Sequence, residues 1–405
     1  MRVPPLEGGR LRIRGGRIVG LGGGPRRHDD LDLPDAIVIP GLVNAHTHLE
    51  FSDVGLPLPA DGGLPAWIGR VIELRRGRAA DDERLSAAIH RGLEESASHG
   101  VTAIGDISTG LPVGGYPARG PRLRVFREAL GLATASAGSV ARVAFRDHSS
   151  LLAAGVAAGL SPHAPYSVSA PLAALLAGAS RRLDAPLAMH VAESEAEAEL
   201  LRSGTGPFRD LFDRLGVWPP DGASLLPAAD WITLLARGPR AIIVHGTFLD
   251  RDENAMARLV RHRSRLCVAV CPRTTRTISN TLPPVRLFRE AGVRVAIGTD
   301  SRASNPDLSV LAECRTLVDA GLASPEQALR MATVDAAWAL GFERSCGVLA
   351  PGRPADLAIL AAEARHACPL DAIMDPATRV AATLRGGRLI AGHIDTDAAR
   401  CGLEP

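Results

Sequence analysis

The sequence predicts an α/β fold, a TIM (β/α)8 barrel with a small β-sandwich domain built from both chain termini, and three observations support this prediction. From residue 40 onward, short apolar segments alternate with helical patterns, as is typical of parallel βα units. Both ends of the chain instead alternate apolar and polar residues between glycine-rich turns. Several apolar segments end in histidine or acidic residues, as expected where barrel strands reach the functional face.

The composition is that of a folded protein whose partner is a small molecule. Of 405 residues, 46% are hydrophobic and 22% charged, and 46 basic against 44 acidic residues give a net charge of +2. Because this charge creates no broad basic field, we expect no nucleic acid and no membrane surface as partner. The chain has no long apolar run and its six cysteines form no CxxC pair, so we expect a cytoplasmic protein with reduced thiols. A homodimer remains open as its assembly.

The amino-terminal residues 1–39 are assigned to the small β domain. Within them, RLRIRGGRIVGLGGG and LDLPDAIVIP alternate apolar and polar residues between glycines. This pattern predicts short antiparallel strands joined by tight turns.

Residues 40–345 are assigned to the barrel. Eight apolar segments are predicted as its strands: 42–48, 101–108, 122–131, 157–164, 185–193, 240–246, 265–272 and 293–300. Apolar residues at i, i+3, i+4 spacing predict helices between them, at 85–97, 170–183, 251–262, 284–291 and 307–321. Eight strands with intervening helices fit a TIM barrel.

The carboxyl-terminal part begins after a last helix, predicted over residues 325–342. The strand-and-turn pattern then returns in GVLAPGRPADLAILAA and VAATLRGGRLIAGHI. Residues 346–405 are therefore assigned to the small β domain, and their likeness to residues 10–39 predicts that the two chain ends pair.

The residues that carry chemistry lie where apolar strands end. His46 and His48 are spaced i, i+2 in LVNAHTH, so in a strand both imidazoles face one side. Later strands end in further metal-compatible residues: His163, His190 with Glu193, His245 and Asp300. Since active-site residues of TIM barrels lie at the carboxyl ends of strands, these imidazoles and carboxylates are expected to converge on the barrel mouth.

Three imidazoles and a carboxylate at one point suit a single divalent metal ion, with a position left open for water. Zinc is the most frequent ion in such sites, and Fe2+ is the alternative. A bound metal lowers the pKa of water from about 15.7 toward about 7, and the site then needs a group that moves protons. Glu193, three residues after His190, is near enough to do so without binding the metal. Taken singly, His190 could be a core histidine and Asp300 a helix N-cap, but their recurrence at five strands favours the metal site.

Five motifs, in order along the chain, resemble those of the amidohydrolase superfamily: HTHLE, SPHAPYS, HVAES, VHGTFL and GTDSRASN. They are most similar to its mononuclear aminohydrolase branch. That branch contains S-adenosylhomocysteine, aminodeoxyfutalosine, guanine and cytosine deaminases and the triazine chlorohydrolases. The resemblance covers nearly the whole chain, including the small β domain.

The resemblance implies a set of roles. The metal ligands would be His46, His48, His190 and Asp300. Glu193 would protonate the ring nitrogen next to the carbon under attack, His245 would orient or polarise the attacking hydroxide, and Asp300 would take a proton from the water. His163 and Tyr166 in SPHAPYS resemble a nucleoside-binding motif.

The chain contains no lysine, since all its basic residues are arginine. Binuclear relatives in the superfamily typically bridge two metals with a carboxylated lysine, so the resemblance implies one metal here. The PCxxC half of the cytidine-deaminase zinc pattern is also absent, which disfavours that fold.

The implied activity is hydrolytic deamination of an adenine-containing nucleoside, with aminodeoxyfutalosine or S-adenosylhomocysteine-like compounds as leading substrates. Glu193 favours deamination, because some chlorohydrolases of this branch lack the corresponding glutamate. The alternative is hydrolysis of another heterocyclic C–N or C–halogen bond, as in guanine or cytosine deaminases or triazine chlorohydrolases. A non-catalytic metal-binding barrel would require a missing ligand or proton shuttle, and none is missing.

Two further residues are candidates for substrate binding. After the seventh strand the chain reads CPRTT where many relatives carry a CPxSN-like motif. Arg273 in this segment could bind a carboxylate or phosphate of the substrate, or be a solvated surface residue. Trp67 could stack on a substrate ring or pack against the first helix.

Overall fold

The computed structural model describes residues 5–24, 31, 33, 36–78, 82–112, 115–363 and 368–394. Its strands are β1 Arg10–Arg14, β2 Arg17–Gly22, β3 Ala36–Pro40, β4 Leu42–Thr47, β5 Val101–Ser108, β6 Arg122–Ala129, β7 Ala157–Pro162, β8 Leu187–Val191, β9 Ala241–His245, β10 Leu266–Val270, β11 Arg294–Ile297, β12 Leu357–Ala361, β13 Arg379–Arg385 and β14 Arg388–Gly392. Its α-helices are α1 Gly63–Arg76, α2 Asp82–Ser98, α3 Ala137–Ala153, α4 Ala170–Leu183, α5 Glu195–Ser203, α6 Pro207–Arg214, α7 Ala228–Leu235, α8 Glu253–Arg261, α9 Pro272–Ser279, α10 Val285–Glu290, α11 Val310–Asp319, α12 Pro325–Arg330, α13 Ala336–Ala339 and α14 Pro369–Met374.

The eight strands β4 to β11 form one parallel sheet in sequence order. The sheet closes between its first and last strands, where Thr47 and Asp300 form a parallel bridge and the Thr299 amide donates to the carbonyl of His46 at 3.0 Å. The predicted α/β barrel is therefore confirmed, and each predicted strand contains an observed one.

Side chains on the two faces of the barrel strands pack into separate clusters. Alternate residues such as Phe126 and Val244 fill the interior of the barrel. Their neighbours, such as Leu187 and Ile243, pack outward under the surrounding helices. This alternation is the period of two expected for strands, and it decides which residues can reach the centre of the barrel mouth.

A second, antiparallel sheet joins the two ends of the chain. Its strand order is β14-β13-β12-β3, so the amino-terminal strand β3 pairs with β12 at the edge of three carboxyl-terminal strands. The hairpin β1-β2 lies against it, with the amide of Ile18 donating to the carbonyl of Arg353 at 2.9 Å. This arrangement confirms the small β domain built from both termini, while its limits at residues 39 and 346 stay predictions.

The helix predicted over residues 325–342 is interrupted. It consists of α12, a π-helical turn Met331–Asp335 and the short α13. In the π turn the hydroxyl of Thr333 donates to the carbonyl of Leu329 at 2.5 Å, a side-chain bond that competes with the regular ladder and bends helices. After this turn, α13 packs against residues of the barrel interior.

The described residues also bear on the expectations for membrane helices and for cysteines. None of their helices combines the length and the apolar character that crossing a membrane requires. Cysteines 267, 271, 314, 346 and 368 carry free thiols, and the first four are buried. Cys401 lies outside the described residues.

Candidate metal centre and active site

One mouth of the barrel collects the histidines and acidic residues that the sequence places at strand ends. They are His46 in β4, His48 just beyond it, His163 after β7, His190 in β8, Glu193 after β8, His245 at the end of β9 and Asp300 after β11. Each is buried, with at most 9% of its surface exposed. The barrel therefore brings together side chains that are up to 254 positions apart in the sequence.

His46, His48 and Asp300 form a first group of potential metal ligands. The Nε2 atoms of His46 and His48 each lie 3.6 Å from Oδ1 of Asp300. The two imidazole rings are nearly perpendicular, with centroids 5.0 Å apart. Ligands about 2.1 Å from a tetrahedral zinc ion lie roughly 3.4 Å from one another, so the two distances to Asp300 suit a shared ion.

His190 and His245 extend this group across the mouth. His46, His190 and His245 each have one ring nitrogen in this group, and these three nitrogens all lie within 4.8 Å of one another. Nδ1 of His190 donates to the carbonyl of His163 at 3.0 Å, which leaves Nε2 as the acceptor that can bind a metal. His46 belongs to both groups, so ligands from both groups can bind the same ion.

Buried nitrogens without partners indicate that these residues fit a metal ion. Among the described residues, neither ring nitrogen of His46 nor Nδ1 of His48 has a hydrogen-bond partner. Burial, followed by the neighbouring His46, holds the pKa of His48 and of His190 well below the usual range, so both imidazoles are neutral, the form that binds metals. A divalent cation would supply the interaction that these buried groups lack.

Asp300 is held as an ionised carboxylate. Burial opposes its ionisation, but the electrostatic interactions with the neighbouring imidazoles of His46, His48 and His245 hold its pKa below the usual range. Ser304 Oγ donates to Oδ2 at 2.6 Å, and Thr47 Oγ1 donates to the backbone carbonyl of Asp300 at 2.5 Å. Oδ1 is thereby directed toward the histidines.

Left-handed backbone conformations turn the chain sharply at three of these strand ends. Ala192, His245 and Asp300 have φ angles of 54°, 67° and 55°. Asp184 and Asn280 are the other non-glycine residues with positive φ in the described part of the chain, and both end helices. Such conformations cost roughly 1–3 kcal/mol each and are concentrated at functional sites.

Glu193 lies beside the histidine cluster as a buried acid. Its Oε1 is 3.3 Å from Nε2 of His245, and its Oε2 accepts a hydrogen bond from the hydroxyl of Tyr166 at 3.4 Å. Burial raises the pKa of Glu193 well above its usual range, and the negative charges of Asp300 and Glu197 raise it further. The environment therefore favours the protonated carboxyl group, which can donate a proton.

Glu197 supports the segment that presents Glu193, and the sequence analysis missed it. Its Oε1 accepts a hydrogen bond from the amide of Ala192 at 2.8 Å, and its Oε2 accepts one from the amide of Glu193 at 3.0 Å. These two bonds fix the left-handed turn that follows β8. The side chain is only 1% exposed, and burial raises its pKa to about 7.

His163 and Tyr166 lie between the cluster and an aromatic group. Nδ1 of His163 shares a hydrogen bond with Ser167 Oγ at 2.5 Å, and Ser167 Oγ also lies 3.3 Å from the carbonyl of Ala164. Nε2 is therefore the His163 nitrogen that faces the mouth. Burial lowers the pKa of His163 to about 3. The Tyr166 ring stacks on Phe208, with centroids 4.1 Å apart.

Trp67 and Arg273 are both engaged with protein groups. The Trp67 indole is 7% exposed, packs in a cluster with Tyr166, and donates from Nε1 to the carbonyl of Ala303 at 3.3 Å. The Arg273 guanidinium forms a two-pronged bond to Asp307, at 2.6 and 3.1 Å. Their assignment to substrate binding stays a prediction.

Three acidic residues on the β5 and β6 side of the mouth were also missed: Glu50, Asp106 and Glu128, here called the acidic wall. Arg75 lies 2.7 Å from Glu50 Oε1 and 3.8 Å from Glu128 Oε2. Burial raises the pKa of both Asp106 and Glu128 to about 7. The sequence held one signal, a glutamate near the end of the otherwise apolar RLRVFREALG strand.

A parallel eight-stranded barrel with a buried His/Asp cluster and an adjacent acid at its mouth defines a metal-dependent hydrolase. The model of the amidohydrolase family matches residues 37–390, and the chain belongs to this family. A relative named 5-methylthioadenosine/S-adenosylhomocysteine deaminase, from Halobacterium salinarum, is 30% identical over 371 residues, which cover 88% of this chain and 80% of the relative. The protein is therefore an amidohydrolase-family enzyme.

Solved structures of the same fold include a deaminase and a chlorohydrolase. Helicobacter pylori aminofutalosine deaminase in complex with methylthio-coformycin has a TM-score of 0.78 and 24% identity, and the match covers 94% of each chain. Atrazine chlorohydrolase from Arthrobacter aurescens, complexed with zinc, has a TM-score of 0.73 and 19% identity, with 95% of this chain and 90% of that one covered. Together with the His/Asp cluster, the zinc complex supports a divalent metal at this site.

Proposed function

We propose that this enzyme deaminates adenine-containing nucleosides by hydrolysis, with one divalent ion, zinc, bound by His46, His48, His190 and Asp300. The observation that carries the proposal is the buried Glu193, held 3.3 Å from His245 beside the His/Asp cluster. The relationship to a protein named 5-methylthioadenosine/S-adenosylhomocysteine deaminase supports the choice of substrate class. Aminodeoxyfutalosine and S-adenosylhomocysteine-like compounds are the leading candidates. Fe2+ is the alternative ion, and a homodimer stays a prediction.

The reaction replaces the exocyclic amino group of adenine by oxygen from water and releases ammonia. A bound divalent ion supplies the acidity that makes water a nucleophile at neutral pH. The ionised Asp300 accepts the proton that the water loses on attack. His245, whose pKa burial lowers to about 4, is neutral and orients the water through a hydrogen bond.

Glu193 carries the second half of the proton transfer. Because its pKa is raised, its carboxyl group can protonate the ring nitrogen adjacent to the attacked carbon. The leaving amine must also gain a proton before the C–N bond breaks, and Asp300 returns to it the proton taken from the water. The Glu193 carboxylate then takes the proton of the new hydroxyl group, which becomes the carbonyl of the product. Such a positioned acid contributes about 10²–10⁴-fold to a rate.

His163 and Tyr166 would bind the nucleoside. The hydrogen bond between Nδ1 of His163 and Ser167 leaves Nε2 for the substrate, and the Tyr166 ring is held in place by stacking on Phe208. Both lie next to the cluster, with the ring of His163 centred 5.0 Å from that of His190.

A second candidate activity is hydrolysis of another heterocyclic C–N or C–halogen bond. The observation that favours it is the shared fold with the zinc complex of atrazine chlorohydrolase. The two activities differ in their leaving group, since one releases ammonia and the other releases chloride from a chlorinated ring.

The deciding experiment assays the zinc-loaded protein for released ammonia and chloride. The panel contains adenosine, 5'-methylthioadenosine, S-adenosylhomocysteine, aminodeoxyfutalosine, guanine, cytosine and atrazine. We expect ammonia and the hypoxanthine product from one or more adenine nucleosides. Turnover of atrazine, guanine or cytosine without any adenine nucleoside would refute the proposal in favour of the second candidate.

A further inference from the structure

The acidic wall has no part in the proton transfers assigned above. Within it, Asp106 accepts hydrogen bonds from the amide of Leu49 at 2.9 Å and the hydroxyl of Tyr116 at 3.1 Å. Glu50 accepts one from Arg75 at 2.7 Å. Glu128 differs from both, because neither of its carboxyl oxygens has a hydrogen-bond partner among the described residues.

Glu128 points from the strand β6 into the upper part of the barrel interior. Phe126, two residues earlier, packs in the interior cluster, and the period of two places Glu128 on the same face nearer the mouth. Its register partner on β7 is Ser161, whose buried hydroxyl also lacks a hydrogen-bond partner among the described residues. The Glu128 side chain is fully buried.

Glu128 and His163 face each other without a hydrogen bond between them. Oε1 of Glu128 lies 3.9 Å from Nε2 of His163, beyond hydrogen-bond distance. Nδ1 of His163 is hydrogen-bonded to Ser167 Oγ at 2.5 Å, so Nε2 is the nitrogen left to face Glu128. Arg75 lies 3.8 Å from the other Glu128 oxygen but is already bonded to Glu50. Leaving buried acceptors unpaired is costly, so this arrangement suits a ligand that brings donors.

The chemistry of an adenine nucleoside identifies those donors. The purine ring nitrogens N3 and N7 are acceptors, and the exocyclic amino group is the base's only donor. In the proposed reaction the amino group faces Glu193 and His245, on the β8 and β9 side of the mouth. The remaining donors of the substrate are the hydroxyl groups of its sugar.

We propose that Glu128 is a specificity-determining residue that accepts hydrogen bonds from the vicinal hydroxyl groups of the substrate ribose. This inference rests on the proposed function for its choice of substrate class. It assigns the two sides of the mouth to different tasks. The metal ligands and Glu193 act on the base, and Glu128 selects a ribose over sugars that lack the vicinal diol.

The test compares kcat/KM for adenosine, 2'-deoxyadenosine and 3'-deoxyadenosine in the wild type and in Glu128→Gln and Glu128→Met. Hydrogen bonds to a charged acceptor predict that each deoxy substrate is at least about 10-fold poorer than adenosine for the wild type. In both variants we expect kcat/KM for adenosine to exceed that for each deoxy substrate by less than about threefold, because activity on adenosine is lost. Glu343→Gln, at the opposite end of the barrel, is the matched control and should keep the wild-type ratio.

A melting curve separates this role from a structural one. Because Glu128 is buried without a hydrogen-bond partner among the described residues, replacing it with glutamine or methionine should leave the melting temperature unchanged or raise it. A lowered melting temperature together with an unchanged substrate ratio would instead give Glu128 a purely structural role and overturn the inference. A wild type that does not distinguish the three nucleosides would also overturn it.

A binding measurement keeps the inference independent of turnover. Zinc-loaded protein is titrated calorimetrically with inosine and with 2',3'-dideoxyinosine, and we expect at least about 10-fold tighter binding of inosine in the wild type only. If no adenine nucleoside is deaminated but this preference depends on Glu128, the proposed function fails and the inference stands. If adenosine is deaminated but the preference is the same in Glu128→Gln, the inference fails alone. Loss of a second equivalent of zinc in Glu128→Gln would assign Glu128 to a cation site and overturn it.

Discussion

Central side chains at the two ends of the barrel differ in whether they have hydrogen-bond partners. At the mouth, the nitrogens of His46 and the oxygens of Glu128 lack hydrogen-bond partners among the described residues. At the base, the guanidinium of Arg240 forms two bonds to Glu343, both of 2.9 Å, and also donates to the carbonyl of Trp338. Paired groups stabilise the fold, whereas unpaired ones cost stability and are retained where a ligand completes them.

The base is closed by the segment that contains α13. Arg240 and Arg294 both lie over the ring of Trp338, with 4.5 and 3.8 Å between each guanidinium carbon and a ring centroid. Arg124 lies over the ring of Phe342 at 5.1 Å and donates to the carbonyl of Leu340. Because these side chains already have partners, we expect substitutions at the base to change stability and substitutions at the mouth to change turnover.

Of the changes at the mouth, removal of the metal is expected to reduce turnover most. Chelation followed by dialysis should reduce ammonia release to below about 1% of the starting rate, because the nucleophile is no longer generated at neutral pH. At a free metal concentration of about 1,000 times Kd, binding stabilises the folded protein by about 4 kcal/mol. Removal of the metal should therefore lower the melting temperature by about 5 °C. Elemental analysis should give one ion per chain before chelation, and added zinc should restore the rate. Full activity of metal-free protein would contradict the assignment of the cluster.

The variant Glu193→Gln should reduce kcat by about 10²–10⁴-fold, because glutamine cannot deliver a proton. Zinc content and melting temperature should stay at the wild-type values, since Glu193 lies beside the ligands rather than among them. Glu195→Gln, two residues further on at an exposed position, is the matched control and should keep full activity. An unchanged kcat in Glu193→Gln would show that another group is the acid.

The variant Glu197→Gln should have a smaller effect, a loss of about 10-fold in kcat, because residues that orient catalytic groups typically contribute 10–100-fold. Glu197 raises the pKa of Glu193 through its negative charge. Removing that charge lowers the pKa of Glu193, so its protonated form is lost at a lower pH. We therefore expect the alkaline limb of the kcat profile to move to lower pH, a shift that a purely structural role would not produce.

Some of the residues in these predictions could be assigned a role from the sequence alone, and others could not. The eight strands and the metal-compatible residues were predictable, because each is a contiguous apolar run that ends in histidine or aspartate. Glu197 was not, since its role depends on two backbone amides that only the turn after β8 brings to it. Glu128 is a single acid within a strand, and its significance depends on the lack of a hydrogen-bond partner among the residues that the structure describes.

A long-range contact also explains why the continuous helix predicted over residues 325–342 is interrupted. The apolar periodicity there predicts a continuous helix, and local sequence contains no strong signal for the π turn at Met331–Asp335. The interruption accompanies the packing of α13 against the barrel interior, a long-range contact that periodicity cannot show.

The smallest effect on turnover is expected at the base, for Arg240→Ala. The substitution removes the bond to the Trp338 carbonyl, the pairing with Glu343 and the contact over the indole ring. We expect a loss of about 1–3 kcal/mol in unfolding free energy, which for a chain of this length lowers the melting temperature by about 1–4 °C. Because the site lies at the other end of the barrel, kcat/KM should stay within about twofold of the wild type. Arg237→Ala, at an exposed position nearby, should change neither quantity, whereas a tenfold loss of turnover in Arg240→Ala at constant stability would show that the two ends of the barrel are coupled.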